Sequence, residues 1–189
     1  MGDQVSASRS NPEAYFIRHT RTLGIEESFL TTLAEEDRVF VHFPHGPSGD
    51  SGSDLESIDP AEHERRGRKA LIKMHALAAS GGLVCAEYWH KPAQALVGIV
   101  RPDTHIELKH GKWGDRYPDC AGRTAVVKTL QLEEARWLSS GEYLPLAVGR
   151  PRQGTIGRWL KAAGQLQRLV YRLTGETDLA TLLPEHQEV

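Results

Sequence analysis

Residues 83–109 read LVCAEYW HKPAQ ALVGIV RPD THIELK, and the punctuation of this stretch decides the fold class. Leu83–Trp89, Ala95–Val100 and Thr104–Lys109 are runs of strand length, rich in β-formers. The connections HKPAQ and RPD are too short for a crossover helix, so neighbouring strands are expected to pair antiparallel. Working upstream, residues 60–80 read as a helix. Asp59 suits the N-cap, Pro60 the first helical position, and Glu62 the third position of a capping box. Ala70, Leu71, Met74, Leu77 and Ala78 give it an apolar face, and Gly81-Gly82 stops it.

Further upstream, Ala14–Arg18 and Arg38–Phe43 read as strands, with a helix over Ile25–Leu33 between them. Residues 44–59 are rich in Gly, Ser, Pro and Asp and read as a long loop. Downstream, residues 110–124 read as a polar loop, Ala125–Gln131 as a strand, and 132–149 as a mixed stretch with a short helix. Thr155–Leu173 reads as a second clear helix, with Ile156, Trp159, Leu160, Ala163, Leu166, Leu169, Val170 and Leu173 on one broad face. The sum is an α+β fold: a small antiparallel β-barrel with flanking helices. It is expected to occupy residues 14–175 as a single domain, between a flexible tail at 1–13 and a C-terminal tail at 176–189.

Composition narrows the function classes. The 189 residues carry a formal net charge of −2, so overall charge announces no polyanionic partner. No run of about 18 apolar residues exists, which predicts no membrane span, and a cytoplasmic location is expected. Cys85 and Cys120 are far apart in sequence and read as reduced thiols. No Gly-rich phosphate loop and no clustered Cys/His pattern appears, so no cofactor and no metal are expected.

Charge distribution is more informative. From Glu26 to Glu64 the chain is acidic, with Arg38 the lone Lys or Arg. Between Tyr143 and Gly175 there is no acid, while Arg150, Arg152, Arg158, Lys161, Arg168 and Arg172 all occur. On a helix over 155–173, the last four share the face opposite the apolar one. A basic stripe without interleaved acids is how a phosphate backbone is met. The plainer reading is a solvated basic face, although such faces usually mix signs. Arg150-Pro151-Arg152-Gln153-Gly154-Thr155 adds two guanidiniums at a turn leading into that helix, where a phosphate or a guanine edge would be welcome.

Certain short motifs resemble the EVE domains of the PUA-like superfamily, relatives of the YTH readers. Tyr15-Phe16-Ile17 is similar to their opening strand, and Asp37 to Phe43 to a strand that ends in an aromatic and a His. Leu96-Val97-Gly98-Ile99 is similar to a later aliphatic-Val-Gly-aliphatic strand. Val126 to Gln165 resembles their C-terminal order, with Gly149-Arg150-Pro151-Arg152-Gln153 and Trp159 in matching places. The likeness runs through residues 14–170. The loop 44–59 and the helix 60–80 exceed a compact EVE domain, and the family's Trp-rich segment after the first helix is missing.

The resemblance implies a PUA-like barrel that recognises a modified base, methylated cytosine in DNA above all, with RNA as the other polymer. It further implies a restriction system in which a separate nuclease domain or chain makes the cut, so no enzymatic activity is expected of this chain. Reading such a base means taking it out of the stack. Aromatic walls then supply roughly 1–3 kcal/mol per base, against about 0.8 kcal/mol for a buried methyl group. Candidate walls are Tyr15, Phe43, Tyr88, Trp89 and Trp113, with His42 and His45 as hydrogen-bonding neighbours. Tyr88 and Trp89 are adjacent on a strand and point to opposite faces. Trp113 sits among basic and Gly residues beside Lys112, which suits either a stacking contact or a cap on the barrel edge. Trp137 and Trp159 read as core.

Two rival classes remain. Pro102-Asp103 and Glu107-Leu108-Lys109 spell the PD…ExK pattern of metal-dependent nucleases, although that pattern draws its acids from two different strands. A protein-binding or ligand-binding module would use the same barrel and its acidic surface.

Overall fold

A computed structural model describes residues 13–43, 55–151, 154–161 and 163–174. Most of the expected long loop, both tails apart from Glu13, and Arg152 lie outside the described residues. The chain is mixed α+β, and its strands form two open sheets rather than one closed antiparallel barrel.

The larger sheet has the order β7-β4-β3-β1-β8, built from β1 (Ala14–His19), β3 (Gly82–Tyr88), β4 (Ala95–Val100), β7 (Glu133–Leu138) and β8 (Ile156–Arg158). β1 and β3 pair in parallel, against the antiparallel expectation. The reason lies in the chain between them, which contains α1 (Glu27–Glu35), β2 (Arg38–Val41) and α2 (Arg65–Ser80). A connection of that length can return to the starting edge, whereas the short turn from β3 to β4 forces antiparallel pairing. The smaller sheet is β2-β6-β5, antiparallel throughout, with β5 at Glu107–Lys112 and β6 at Thr124–Gln131.

Strict alternation explains why the larger sheet is buried on both sides. Tyr15, Ile17, Val84, Ala86, Leu96 and Val100 face the core shared with α1, α2 and the smaller sheet. Phe16, Leu83, Cys85, Val97 and Ile99 face a second core with Tyr143, Leu146, Trp159 and Leu166. The second core is closed by α3 (Ser140–Ala147) and α4 (Ala163–Thr174). Gly98 sits where β4 shifts register against β7, and a Cβ there would lie 3.0 Å from the Glu133 carbonyl oxygen. Only a bare backbone lets β7 approach that closely.

His19 stitches the two sheets. It is fully buried, with its ring stacked on Phe40 at 4.2 Å and tilted against Tyr88 at 4.1 Å between centroids. Its Nε2 lies 3.1 Å from both the amide nitrogen and the carbonyl oxygen of Phe40, on the edge of β2 that β6 leaves open. Burial pushes its pKa down to about 3, so the ring is neutral at ordinary pH. The Tyr88 hydroxyl donates to the Arg38 carbonyl across the same seam.

Several expected boundaries move. Asp59 caps only a single turn, Pro60–Glu62, its side chain accepting from the Ala61 amide 2.8 Å away; α2 itself begins at Arg65. The capping box is formed instead by Ser139 and Glu142 at the start of α3. The third run of the opening stretch is displaced, so that β5 covers Glu107–Lys112 and takes in part of the expected polar loop. The largest correction concerns Thr155–Leu173. Its first residues are not helical, because Ile156–Arg158 pair with Tyr15–Ile17 as β8 and complete the sheet edge. The helix starts only at Ala163. Pairing with the edge of β1 satisfies backbone groups that a free sheet edge would leave open.

Candidate functional site

A cleft of about 1070 Å³ opens between the N-terminal half of α2 and the end of β1. Its lining includes Arg18, Arg65, Arg66, Lys69 and Lys73, with Glu64 the one acid among them. Lys73 is occupied, its Nζ donating to the Ile156 carbonyl 3.0 Å away. Arg18 donates to the Pro151 carbonyl and lies 3.6 Å from the Glu87 carboxylate. By contrast, Arg65, Arg66 and Lys69 make no hydrogen bond or ion pair among the described residues. Nearby Arg68 turns away to donate to the Pro60 and Ala61 carbonyls, at 3.2 Å each.

The placement of these cations opposes helix stability. α2 has no acid in its first turn, where the helix dipole favours negative charge. Cations there forgo about 0.3–1 kcal/mol each that acids would contribute, and they repel one another. An anion in the cleft would reverse both penalties. The floor is apolar: Phe43 and His42 are buried, and Gly67 lets α2 settle within 3.0 Å of the Phe43 ring, measured from where a Cβ would stand.

A smaller cleft of about 280 Å³ adjoins the first, and Arg18 and Thr20 line both. Its aromatic walls are Tyr88 and Trp89, with Gln94 and Glu87 supplying polar groups. Trp89 is half-buried, with the Arg21 guanidinium 5.6 Å from its ring centroid. Burial raises the pKa of the Tyr88 phenol well above the ordinary value.

A third cleft of about 440 Å³ holds part of the C-terminal basic set: Arg150, Arg158 and Lys161, beside exposed Val148 and Leu160. Arg150 is tied to Glu87, which also accepts from the Tyr143 hydroxyl. Arg158 pairs with Glu13 at 3.1 Å, and Lys161 makes no ion pair among the described residues. Arg168 is exposed on α4; the side chain of Arg172 lies outside the described residues. The expected stripe on one helix therefore does not exist in that form, since Arg158 is on β8 and Lys161 is in the turn before α4.

The aromatic candidates separate. His42 and Phe43 line the large cleft, and Tyr88 and Trp89 the small one. Tyr15 and Trp113 line neither. Tyr15 is buried beside Glu13, and its pKa is pushed up to about 12, chiefly by burial. Trp113 is 1% exposed, with its ring centroid 4.6 Å from that of His42 and 5.6 Å from that of Tyr117. The glycines around it serve packing rather than ligand approach. A Cβ at Gly111 would lie 1.9 Å from the Phe29 ring, and one at Gly24 would lie 2.5 Å from the Tyr117 ring. Lys112 is exposed at the end of edge strand β5, where charge discourages further strand pairing.

The residues that sequence reading passed over are those of α2. Arg65, Lys69 and Lys73 follow each other at helical i, i+4 spacing, and no acid occurs from Arg65 to Ser80. The acidic run ends at Glu64, immediately before them, so the boundary itself was the available signal.

The nuclease-like residues are occupied elsewhere. Asp103 sits in a turn with φ of 60°, Glu107 pairs with Arg38 at 3.0 Å, and Lys109 pairs with Glu36 at 3.6 Å. Among the described residues no group of three or more His, Cys, Asp or Glu is placed to hold a metal ion, and no helix is long and apolar enough to cross a membrane. Comparison of the chain with protein-family models, with curated proteins and with solved structures gave no match.

Proposed function

We propose that this protein binds nucleic acid and reads a single modified base held out of the stack. The observation that carries the proposal is the α2 cleft, which Arg65, Arg66 and Lys69 line without an ion pair among the described residues. Buried or paired guanidiniums serve the fold, whereas unpaired ones at a helix start lower the energy of a bound polyanion. The neighbouring small cleft suits the base. Trp89 offers a half-exposed ring for stacking, and Gln94 offers hydrogen-bonding groups for a base edge. Arg18, common to both clefts, would sit between the phosphate and the base.

The finer reading follows the resemblance to EVE domains. The base is then methylated cytosine in DNA, the two sheets are an opened variant of the PUA-like barrel, and the chain delivers a nuclease domain or partner chain rather than cutting by itself. In this mechanism phosphate contacts fix register and contribute most of the affinity, while the aromatic wall contributes the preference.

The test is fluorescence anisotropy with plain, methylated and hydroxymethylated oligonucleotides over a salt series. Log affinity is expected to fall with log salt at about −0.9 per phosphate neutralised on a duplex, and about −0.7 on a single strand. Changing Arg65, Arg66 and Lys69 to Ala should flatten that slope, and Trp89→Ala should remove the preference for the modified base. Absence of binding at low salt, or an unchanged slope in the triple variant, would overturn the proposal.

A further inference from the structure

The small cleft lies where two parallel strands stop side by side. β1 ends at His19 and β3 at Tyr88, and the register pairs these two residues. The chain just beyond both strands lines the cleft, with Thr20 and Arg21 after β1, and Trp89 and Lys91 after β3. The carboxyl ends of neighbouring parallel strands recurrently hold ligands, because the chain leaves the sheet there and opens a crevice.

This crevice is rich in positive charge. Arg18, Arg21 and Lys91 line it against one acid, Glu87. Glu87 is already engaged: Arg18 lies 3.6 Å from its carboxylate, and Arg150 and the Tyr143 hydroxyl both donate to it. Arg21 and Lys91 have no comparable neutraliser. Their side chains make no hydrogen bond or ion pair among the described residues. Each lies instead against an indole, the Arg21 guanidinium 5.6 Å from the Trp89 ring centroid and the Lys91 Nζ 4.1 Å from that of Trp137. A ring face holds a cation in place without cancelling its charge. The rest of the lining supplies no second carboxylate, and His19 is neutral and engaged with the Phe40 backbone.

A donor-rich cleft discriminates among the groups that position 5 of a cytosine can carry. A methyl group offers it apolar contact alone. A carboxylate offers two oxygens that accept from a guanidinium or an ammonium, and its pairing with Arg is frequently bidentate. We propose, resting on the nucleic-acid reading above, that the small cleft takes a cytosine whose 5-substituent is a carboxylate, with Trp89 stacked on the ring and Arg21 and Lys91 on the acid. Methylated cytosine is then accepted through the stacking, and its carboxylated counterpart is preferred. A backbone phosphate is the other oxyanion that these cations suit. The two sources separate cleanly, because the carboxylate changes with the base and the phosphate is common to every oligonucleotide.

The experiment measures binding of the full chain to labelled oligonucleotides that differ at one cytosine: plain, 5-methyl, 5-hydroxymethyl and 5-carboxyl. The carboxylated form is expected to bind at least about tenfold more tightly than the methylated one at about 0.1 M salt. Arg21→Ala/Lys91→Ala should bring that ratio down to about one, with circular dichroism showing the variant folded. Arg66→Ala/Lys69→Ala should weaken every form by a common factor. Two results overturn the carboxylate: a carboxylated form bound no more tightly than the methylated one, or an Arg21/Lys91 variant that loses the same factor on every form, which assigns these cations to phosphate. Either leaves the nucleic-acid reading intact so long as the α2 variant loses affinity. Failure of every form to bind the unaltered protein removes both readings together.

Discussion

The cations of α2 and those of the C-terminal region look alike in sequence and differ in what holds them. Arg150 is locked to Glu87, and Arg158 leans on Glu13. Among the described residues Arg65, Arg66 and Lys69 have no such partner, although they stand beside the most acidic part of the chain in sequence. The difference teaches that a run of basic residues becomes available to a ligand only where the fold brings no carboxylate into ion-pairing contact with it. Glu87 and Glu13 lie on or beside the strands that receive the C-terminal segment. Among the described acids preceding α2, Glu36 and Glu56 pair with Arg38 and His110, while Glu64 lines the cleft without pairing with Arg65, Arg66 or Lys69.

The strongest way to break this comparison is Arg66→Glu/Lys69→Glu. Reversing two unpaired charges in the α2 cleft should reduce DNA affinity on the order of 100-fold at about 0.1 M salt, while thermal unfolding shows stability retained or slightly raised. An equal loss from reversing Arg150 instead would abolish the distinction between paired and unpaired cations. Next in size is Trp89→Ala, expected to cost about 1–3 kcal/mol in binding of the preferred base, read as a drop in the ratio of modified to plain affinity.

His19 sharpens the comparison from the side of the fold, because it holds β1 and its Arg18 against the smaller sheet. Its folded-state pKa is lowered to about 3 from an ordinary 6.5 by burial. The unfolded chain therefore binds a proton that the folded one refuses, once the pH falls below about 6.5. Stability from this group is complete above that pH and declines by about 1.4 kcal/mol per unit as pH falls toward 3. Urea denaturation at stepped pH should show that decline, and His19→Gln should lessen it. An equal acid sensitivity in the variant would assign the loss to other groups. The smallest effect belongs to Glu13→Gln. Removing the surface partner of Arg158 should alter stability by less than about 1 kcal/mol in urea denaturation.

Most elements were legible because apolar spacing carries them. β4 matches its reading residue for residue, and β1, β3 and β6 differ only at their ends. The turns with Pro92 and Pro102 correctly separated the strands around them. Legibility failed where tertiary partners decide. Ile156-Gly157-Arg158 belongs to an apolar helical pattern, yet its backbone is claimed by the edge of β1. Trp113, with Gly and Lys as neighbours, suited either a stacking contact or a packed cap, and it is packed. The space at Gly111 is taken by Phe29, which no local pattern announces. The candidate site was half visible: Phe43, His42, Tyr88 and Trp89 were named in advance, but the cations that face their clefts were not.

By itself the sequence determined an α+β chain with buried β3 and β4 strands, an α2 helix ended by Gly81, and a separation of acidic from basic stretches. Periodicity and turn chemistry are local properties, and a chain carries them wherever it folds. Only the tertiary structure decided that β1 and β3 run parallel, that the strands make two sheets, and which cations keep a carboxylate for themselves. Those outcomes depend on residues distant in sequence meeting in space, where Coulomb energy and steric fit are set by ångströms rather than by order along the chain.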